Sequence, residues 1–260
     1  MKTKKLNFKK LLPFRKPNEN KTHGGKTLII AGSKGFFGAA ILTATSAARV
    51  GSGYTTLLAD KFPSHKHPDF LIKDLKFKDW IQFDAIAIGP GLGVNLKTEK
   101  IIRDLRKRKI KNVVVDADAL TVIAKKKIFP LPSTWILTPH KGELARLIGK
   151  NGTLKQAQKK YGCLILEKGA TTKILNSDSY LEVKVGNSSL AKAGTGDVLT
   201  GIIAGLLAQK IKPFDAAALG AYIHGRASRF WTRKGRDHLS LLASDLFEII
   251  PEVLHEIRTK

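Results

Sequence analysis

Short apolar runs, each closed by Gly, Pro or Asp, alternate along the chain with longer segments of helical period. The runs are residues 27–31 (TLIIA), 54–59 (YTTLLA), 85–88 (AIAI), 113–115 (VVV), 135–137 (WIL) and 164–166 (LIL). They are continuous rather than alternating, as expected of strands buried on both faces of a parallel sheet. Residues 172–175 with 180–185 predict a hairpin at the sheet edge. Residues 37–50 (FGAAILTATSAARV) are small, apolar and unbroken, which predicts a helix packed closely on a sheet, whereas 97–108 predicts a helix with charges outward. The pattern is that of βαβ units: an α/β fold with a mainly parallel central sheet between two helical layers. No period of 20 to 50 residues recurs, which argues against a solenoid or propeller.

Polar residues and glycines collect where these strands end: GSKGFFG after the first, GPGLG after the third, DADAL after the fourth, TPHKGE after the fifth and EKGATT after the sixth. Ligands of open α/β sheets bind beyond the carboxyl ends of the strands, so five such loops describe one crevice.

Length and composition change this picture little. The chain has 260 residues, 43% hydrophobic and 26% charged, enough for one large domain with a sizeable core. A single cysteine, Cys163, excludes an internal disulfide and a cysteine-based zinc cage, and reads as an isolated buried thiol. His65 and His67 read as a surface loop, without further ligands at metal spacing. The longest apolar stretch, around 198–208, is too short and glycine-rich to span a bilayer, and the basic start lacks the apolar segment of a secretory signal, so a cytoplasmic protein is expected.

Charge raises a second possibility. Forty-six Lys and Arg against 21 Asp and Glu give a net charge of +25, which first suggests nucleic acid or acidic lipid. Residues 1–27 carry nine basic side chains against Glu19, and 97–111 carry eight against two acids; the remaining excess is spread along the chain. There is no helix-turn-helix signature or aromatic stacking box, and a solvated basic surface is the simpler reading.

Three glycine-rich segments could hold a phosphate. Gly25-Lys26-Thr27 has the ending of a Walker loop, but Asn20 replaces its first glycine and it precedes a strand. Gly32 to Gly38 follows a strand and opens a helix, with Asp60 after the next strand, which imitates a dinucleotide fingerprint; its second glycine is Ser33, and a tight turn with close helix packing explains it as well. The third is Asn187 to Asp197 (NSSLAKAGTGD), ahead of the helical run VLTGIIAGLLAQ. Glycines let backbone N–H groups converge, and the helix start adds partial positive charge, making an anion hole. Asp197 would repel a bound phosphate unless it takes a proton from an attacking hydroxyl; composition alone equally allows a favourable first-turn helix acid.

GTGD at the head of a long apolar helix resembles the anion-hole motif of the ribokinase-like superfamily. Its conjunction with LPFR (12–15), AIGPGLG (87–93), VVVDADAL (113–120), ILTPHKGELARL (136–147) and LEKGATT (166–172) narrows the resemblance to the ADP/ATP-dependent NAD(P)H-hydrate dehydratases, over about residues 12–257. The two aromatics of SKGFF stand where one is more usual. The resemblance implies a ribokinase-like three-layer α/β/α domain over 12–260 after a basic extension, 1–11.

It further implies an enzyme that restores NADHX and NADPHX, hydrated at C6 of the nicotinamide ring, to NADH and NADPH at the expense of ADP or ATP, with Mg2+. Asp197 would be the base on the C6 hydroxyl, and the amides of Gly194, Thr195 and Gly196 would surround the transferring phosphoryl. Lys168, Gly169, Ala170, Thr171 and Thr172 would hold the adenylate, Thr172 through its hydroxyl. The substrate would lie across Ala40, Gly91, Gly93 and His140 as well as Asp197. Asp116, Glu143 and Asn187, with Asp118, would support these groups or bind water around magnesium. A homotetramer is implied, with the NAD(P)HX epimerase on a separate chain. A hydroxymethylpyrimidine or hydroxyethylthiazole kinase would share GTGD and Asp197 but not the TPHKGE and DADAL pair.

Overall fold

The computed structural model describes residues 2–59, 69–75, 77 and 79–259; Asp60, His65 and His67 lie outside the described residues. Among the described residues ten strands form one sheet: β1 (Lys2–Thr3), β2 (Lys26–Ile30), β3 (Tyr54–Ala59), β4 (Leu71–Asp74), β5 (Ala85–Ile88), β6 (Val113–Val115), β7 (Ile136–Leu137), β8 (Leu164–Glu167), β9 (Thr172–Leu175) and β10 (Ser179–Val183). Their order is β1-β10-β9-β8-β7-β6-β5-β2-β3-β4. All neighbours pair in parallel except β8 with β9 and β9 with β10. The hairpin expected at the sheet edge is one strand in, because Lys2 and Thr3 pair with Ser179 and Tyr180.

Side chains of the central strands divide between two cores, as the period of two requires. Ala85, Ala87, Val114, Ile136, Leu164 and Leu166 face a layer made by α2 (Phe37–Arg49), α7 (Thr195–Ala208), α8 (Pro213–Arg233) and α9 (Ala243–Thr259). Ile86, Ile88, Val113, Val115, Leu137 and Ile165 face α3 (Leu96–Lys107), α4 (Ala117–Lys125), α5 (Lys141–Ile148) and α6 (Leu154–Tyr161). This is the three-layer α/β/α sandwich.

The first layer is tight because α7 meets α2 through glycine. A Cβ on Gly201 would stand 2.1 Å from the Thr43 carbonyl oxygen, and one on Gly205 would stand 2.6 Å from that of Ala47. The second layer turns charge outward: Glu99 pairs with Arg103 on α3, and Asp104 with Arg108, the residue that caps its C-terminus. Residues 2–11, expected as part of an extension, pack on the domain. After β1 comes α1 (Phe8–Leu11), where Phe8 stacks on Tyr222 with centroids 4.0 Å apart. Lys4 Nζ donates to Asp215 Oδ1 at 2.5 Å. Cys163 is buried, and burial pushes its thiol up.

Candidate active site

Because β2 and β5 to β8 are parallel, their carboxyl ends open on one edge, and the loops singled out in the sequence meet there. Asp116 is the hub. It follows β6 with 1% exposure, and its place depends on Gly89 after β5, where a Cβ would stand 1.9 Å from the Asp116 carbonyl oxygen. The chain then turns sharply through Ala117 at φ 47°, a strained conformation of the kind that collects at functional sites.

Both carboxylate oxygens of Asp116 are engaged. Lys168 Nζ, after β8, donates to Oδ1 at 2.6 Å, and Thr200 Oγ1, from the second turn of α7, donates to Oδ2 at 2.7 Å. Lys168 also lies 3.8 Å from Glu143 Oε2. Burial works against the charge on Lys168, but Asp116 and Glu143 outweigh it and hold its pKa above the ordinary lysine value. The ammonium is therefore a fixed cation at the base of the crevice.

His140 and Glu143 start α5 as a capping box. His140 Nδ1 accepts from the amides of Gly142 and Glu143 at 3.0 and 3.3 Å, and Glu143 Oε2 accepts from the His140 amide at 2.8 Å. With Nδ1 an acceptor, the neutral ring presents Nε2–H as its donor.

Gly194, at φ 87°, lets the chain turn left-handed into α7, and Thr195 Oγ1 ties the loop by donating to the carbonyls of Leu190 and Lys192. Gly196 does not have a positive φ, so its backbone does not require glycine. A Cβ there would lie in ordinary contact with the Lys168 ammonium, 3.4 Å from Nζ. Asp197, in the first turn of α7, has its pKa pushed up to about 7 by burial first and then by the negative charge of Asp116, against the pull of Lys168. A carboxyl poised near neutrality in a crevice, beside a fixed cation and a helix N-terminus, fits a proton acceptor.

A cavity of about 590 Å³ lies beside the head of α7, lined there by Thr195, Gly196 and Leu199 but not by Asp197 itself. Lys168, Gly169, Ala170 and Thr172 line it, as do Asn187, Leu190 and Lys192, with Thr195, Gly196 and the exposed His140. Thr171 and Gly194 do not line it. Asn187 also caps its own turn: Oδ1 accepts from the Ser189 amide, and Nδ2 donates to the Ser228 carbonyl. On the other side, Asp118 Oδ2 accepts from the Gly93 amide at 2.8 Å, while Gly91 sits against Phe36. Ala40 is fully buried in the α2 layer and offers no side-chain surface.

Among the described residues, no three His, Cys, Asp or Glu side chains stand together as a metal-holding group. With both oxygens taken by Lys168 and Thr200, Asp116 does not fit as a direct ligand of a divalent ion.

The sequence profile described as NAD(P)H-hydrate dehydratase matches residues 27–252, nearly the whole chain. The chain belongs to the NAD(P)H-hydrate dehydratase family. Among curated relatives, the bifunctional NAD(P)H-hydrate repair enzymes Nnr of Vibrio cholerae and Escherichia coli are 36% and 32% identical over 94% and 93% of this chain. This chain spans about half the length of those relatives, 52% and 50%. Among solved structures, the ADP/ATP-dependent NAD(P)H-hydrate dehydratase of Bacillus subtilis, co-crystallised with ATP/Mg2+, has a TM-score of 0.84 at 29% identity over 96% of each chain. A hydroxyethylthiazole kinase from Pyrococcus horikoshii, at 13% identity and a TM-score of 0.63, shares the fold alone.

Two residues of this dehydratase-family site were not read from the sequence. Thr200 sits in a helix of small apolar residues, where nothing marks it as the donor to an aspartate 84 positions away. His224 on α8 is buried behind the first turn of α7, touching the Thr195 backbone. Burial lowers its pKa to about 4, leaving it neutral at physiological pH. No helix of the described residues is long and apolar enough to cross a membrane.

Proposed function

We propose that this chain dehydrates NADHX and NADPHX to NADH and NADPH, using ADP or ATP as the phosphoryl donor. The observation that carries the reading is Asp197, a carboxyl held near neutrality and next in the chain to Thr195 and Gly196, which line a cavity together with Lys168, Gly169, Ala170 and Thr172. Hydroxide is a poor leaving group and phosphate a good one. Asp197 takes the C6 hydroxyl proton as that oxygen attacks the terminal phosphorus of the donor, whose bond to the departing nucleotide breaks. The ring nitrogen's electron pair then expels phosphate from C6, and loss of a C5 proton completes the double bond. The products are reduced dinucleotide, inorganic phosphate, and AMP or ADP.

The chain's own groups suit these steps. The amides at the start of α7 and the Lys168 ammonium face the charge that develops on the phosphoryl, and His140 Nε2–H stands at the rim to orient substrate. Mg2+ would enter with the donor's phosphates and screen their charge. We place the enzyme in the cytoplasm as a homotetramer, the assembly resting on family resemblance alone.

The test is incubation with NADHX, Mg2+ and either ADP or ATP. Absorbance should grow at about 340 nm, the band of reduced nicotinamide, only when nucleotide is present. A stable phosphorylated alcohol without that absorbance would mean a small-molecule kinase of the same fold.

A further inference from the structure

We infer that Phe36 is the platform on which the adenine of the dinucleotide substrate rests, at the end of the crevice away from the donor cavity. The inference rests on the reading of a dinucleotide substrate given above. Strands β8, β7, β6, β5 and β2 are consecutive neighbours, so at about 4.8 Å per strand their carboxyl ends form a row roughly 19 Å long. Lys168 and the donor cavity lie at one end, and Asp116 stands at the middle. The Ser33 to Phe36 turn lies at the other end, about 10 Å beyond Asp116.

A series of contacts bridges that distance. The charge of Asp118 reaches Asp197, and Asp118 holds the Gly93 amide. In the same loop Gly91 accepts from Ser33 Oγ at 2.8 Å, and the Pro90 carbonyl accepts from the Gly32 amide at 2.8 Å. Phe36 lies directly on Gly91, where a Cβ would stand 2.8 Å from Phe36 Cβ and 2.9 Å from its carbonyl oxygen, so no side chain can separate them. The turn is closed by the Phe36 amide donating to the Ser33 carbonyl at 2.8 Å. A phenyl group on a fixed frame is nevertheless 64% exposed, with Val94 and Leu96 also exposed on the neighbouring loop.

With the hydrated ring at Asp197 and the donor in its cavity, the rest of the substrate extends toward β2. The hydrated ring is puckered, so the adenine is the flat ring left to meet the phenyl face. Stacking of a base on an aromatic side chain supplies affinity without consuming hydrogen bonds.

The test compares Phe36→Ala and Phe36→Trp with the unaltered protein, using two probes whose own fluorescence reports binding: NADH, and reduced nicotinamide mononucleotide, which lacks adenine. Phe36→Ala should weaken NADH about tenfold, leave the mononucleotide unchanged, and raise KM for NADHX by the same factor with kcat retained. Phe36→Trp should restore NADH binding. Ile81→Ala, an equally exposed apolar residue outside the crevice, should change nothing. Unchanged NADH affinity in Phe36→Ala, or equal weakening of both probes, overturns the inference while leaving the proposed function intact. Weakening accompanied by a changed oligomeric state in light scattering also overturns it, since the ring would then act through a subunit contact. An unaltered protein that binds no NADH overturns both.

Discussion

Asp197→Asn should cost activity and gain stability, and the two effects have one cause. Burial and the charge of Asp116 raise the Asp197 pKa from 3.8 to about 7 in the folded protein. Below 3.8 both folded and unfolded chains hold the proton. Between 3.8 and about 7 only the folded chain does, so stability falls as pH rises, and above about 7 the loss is complete. Some three pKa units at about 1.4 kcal/mol each set a ceiling of about 4 kcal/mol. Asparagine keeps the shape without the charge, and partial solvent access brings the expected gain to about 1–3 kcal/mol at pH 8. At pH 5 only about a third of the difference has developed. Urea unfolding of both proteins at pH 5, 6.5 and 8 measures it, with a Tm gain of about 2–4 °C per kcal/mol as a second readout. Turnover should fall at least about a hundredfold, with nucleotide affinity within a few-fold. An asparagine variant no more stable than its parent at pH 8, or one with full turnover, would refute the reasoning.

Other expectations follow from the same geometry. Asp197 must be ionised to accept a proton, so kcat/KM should drop about tenfold per unit as pH falls below about 7, in a pH–rate profile that Asp197→Asn lacks. Deleting residues 2–11 removes the Phe8–Tyr222 stack and the Lys4–Asp215 pair, and should destabilise by about 2–4 kcal/mol in urea while leaving kcat intact where the protein is folded. Gly201→Ala pushes α7 off Thr43 and should cost about 3 kcal/mol; thermal unfolding would show it, together with reduced turnover as the head of α7 shifts.

The central sheet was legible because its strands are buried on both faces. The 54–59, 85–88, 113–115 and 172–175 runs are strands β3, β5, β6 and β9 to the residue. The unread strands are edges. Leu71–Asp74 is partly exposed and ends in charge, and Lys2–Thr3 is two residues long, so neither carries a hydrophobic signal. The turn at Gly194 and the start of α7 were legible from local spacing, since adjacent residues make them, whereas a role for Asp197 was implied only by the family resemblance. The Lys168–Asp116 pair was not: its partners are 52 residues apart, in the loops after different strands, and EKG read only as a nucleotide loop. His140 reads as a substrate contact in the sequence, yet H-x-x-E ahead of an apolar run is also the capping box that the structure shows.

The central claim is that the C6 hydroxyl is phosphorylated before it leaves, and the fate of its oxygen tests that most directly. NADHX prepared by hydration in heavy-oxygen water carries the label at C6. With unlabelled ADP or ATP in ordinary water, mass spectrometry of the released phosphate should find one heavy oxygen per NADH formed, because C6–O breaks while O–P stays. Phosphate without label, with heavy oxygen recovered in water, would mean that nucleotide hydrolysis and dehydration are separate events, and that Asp197 does not serve a phosphoryl transfer to the substrate.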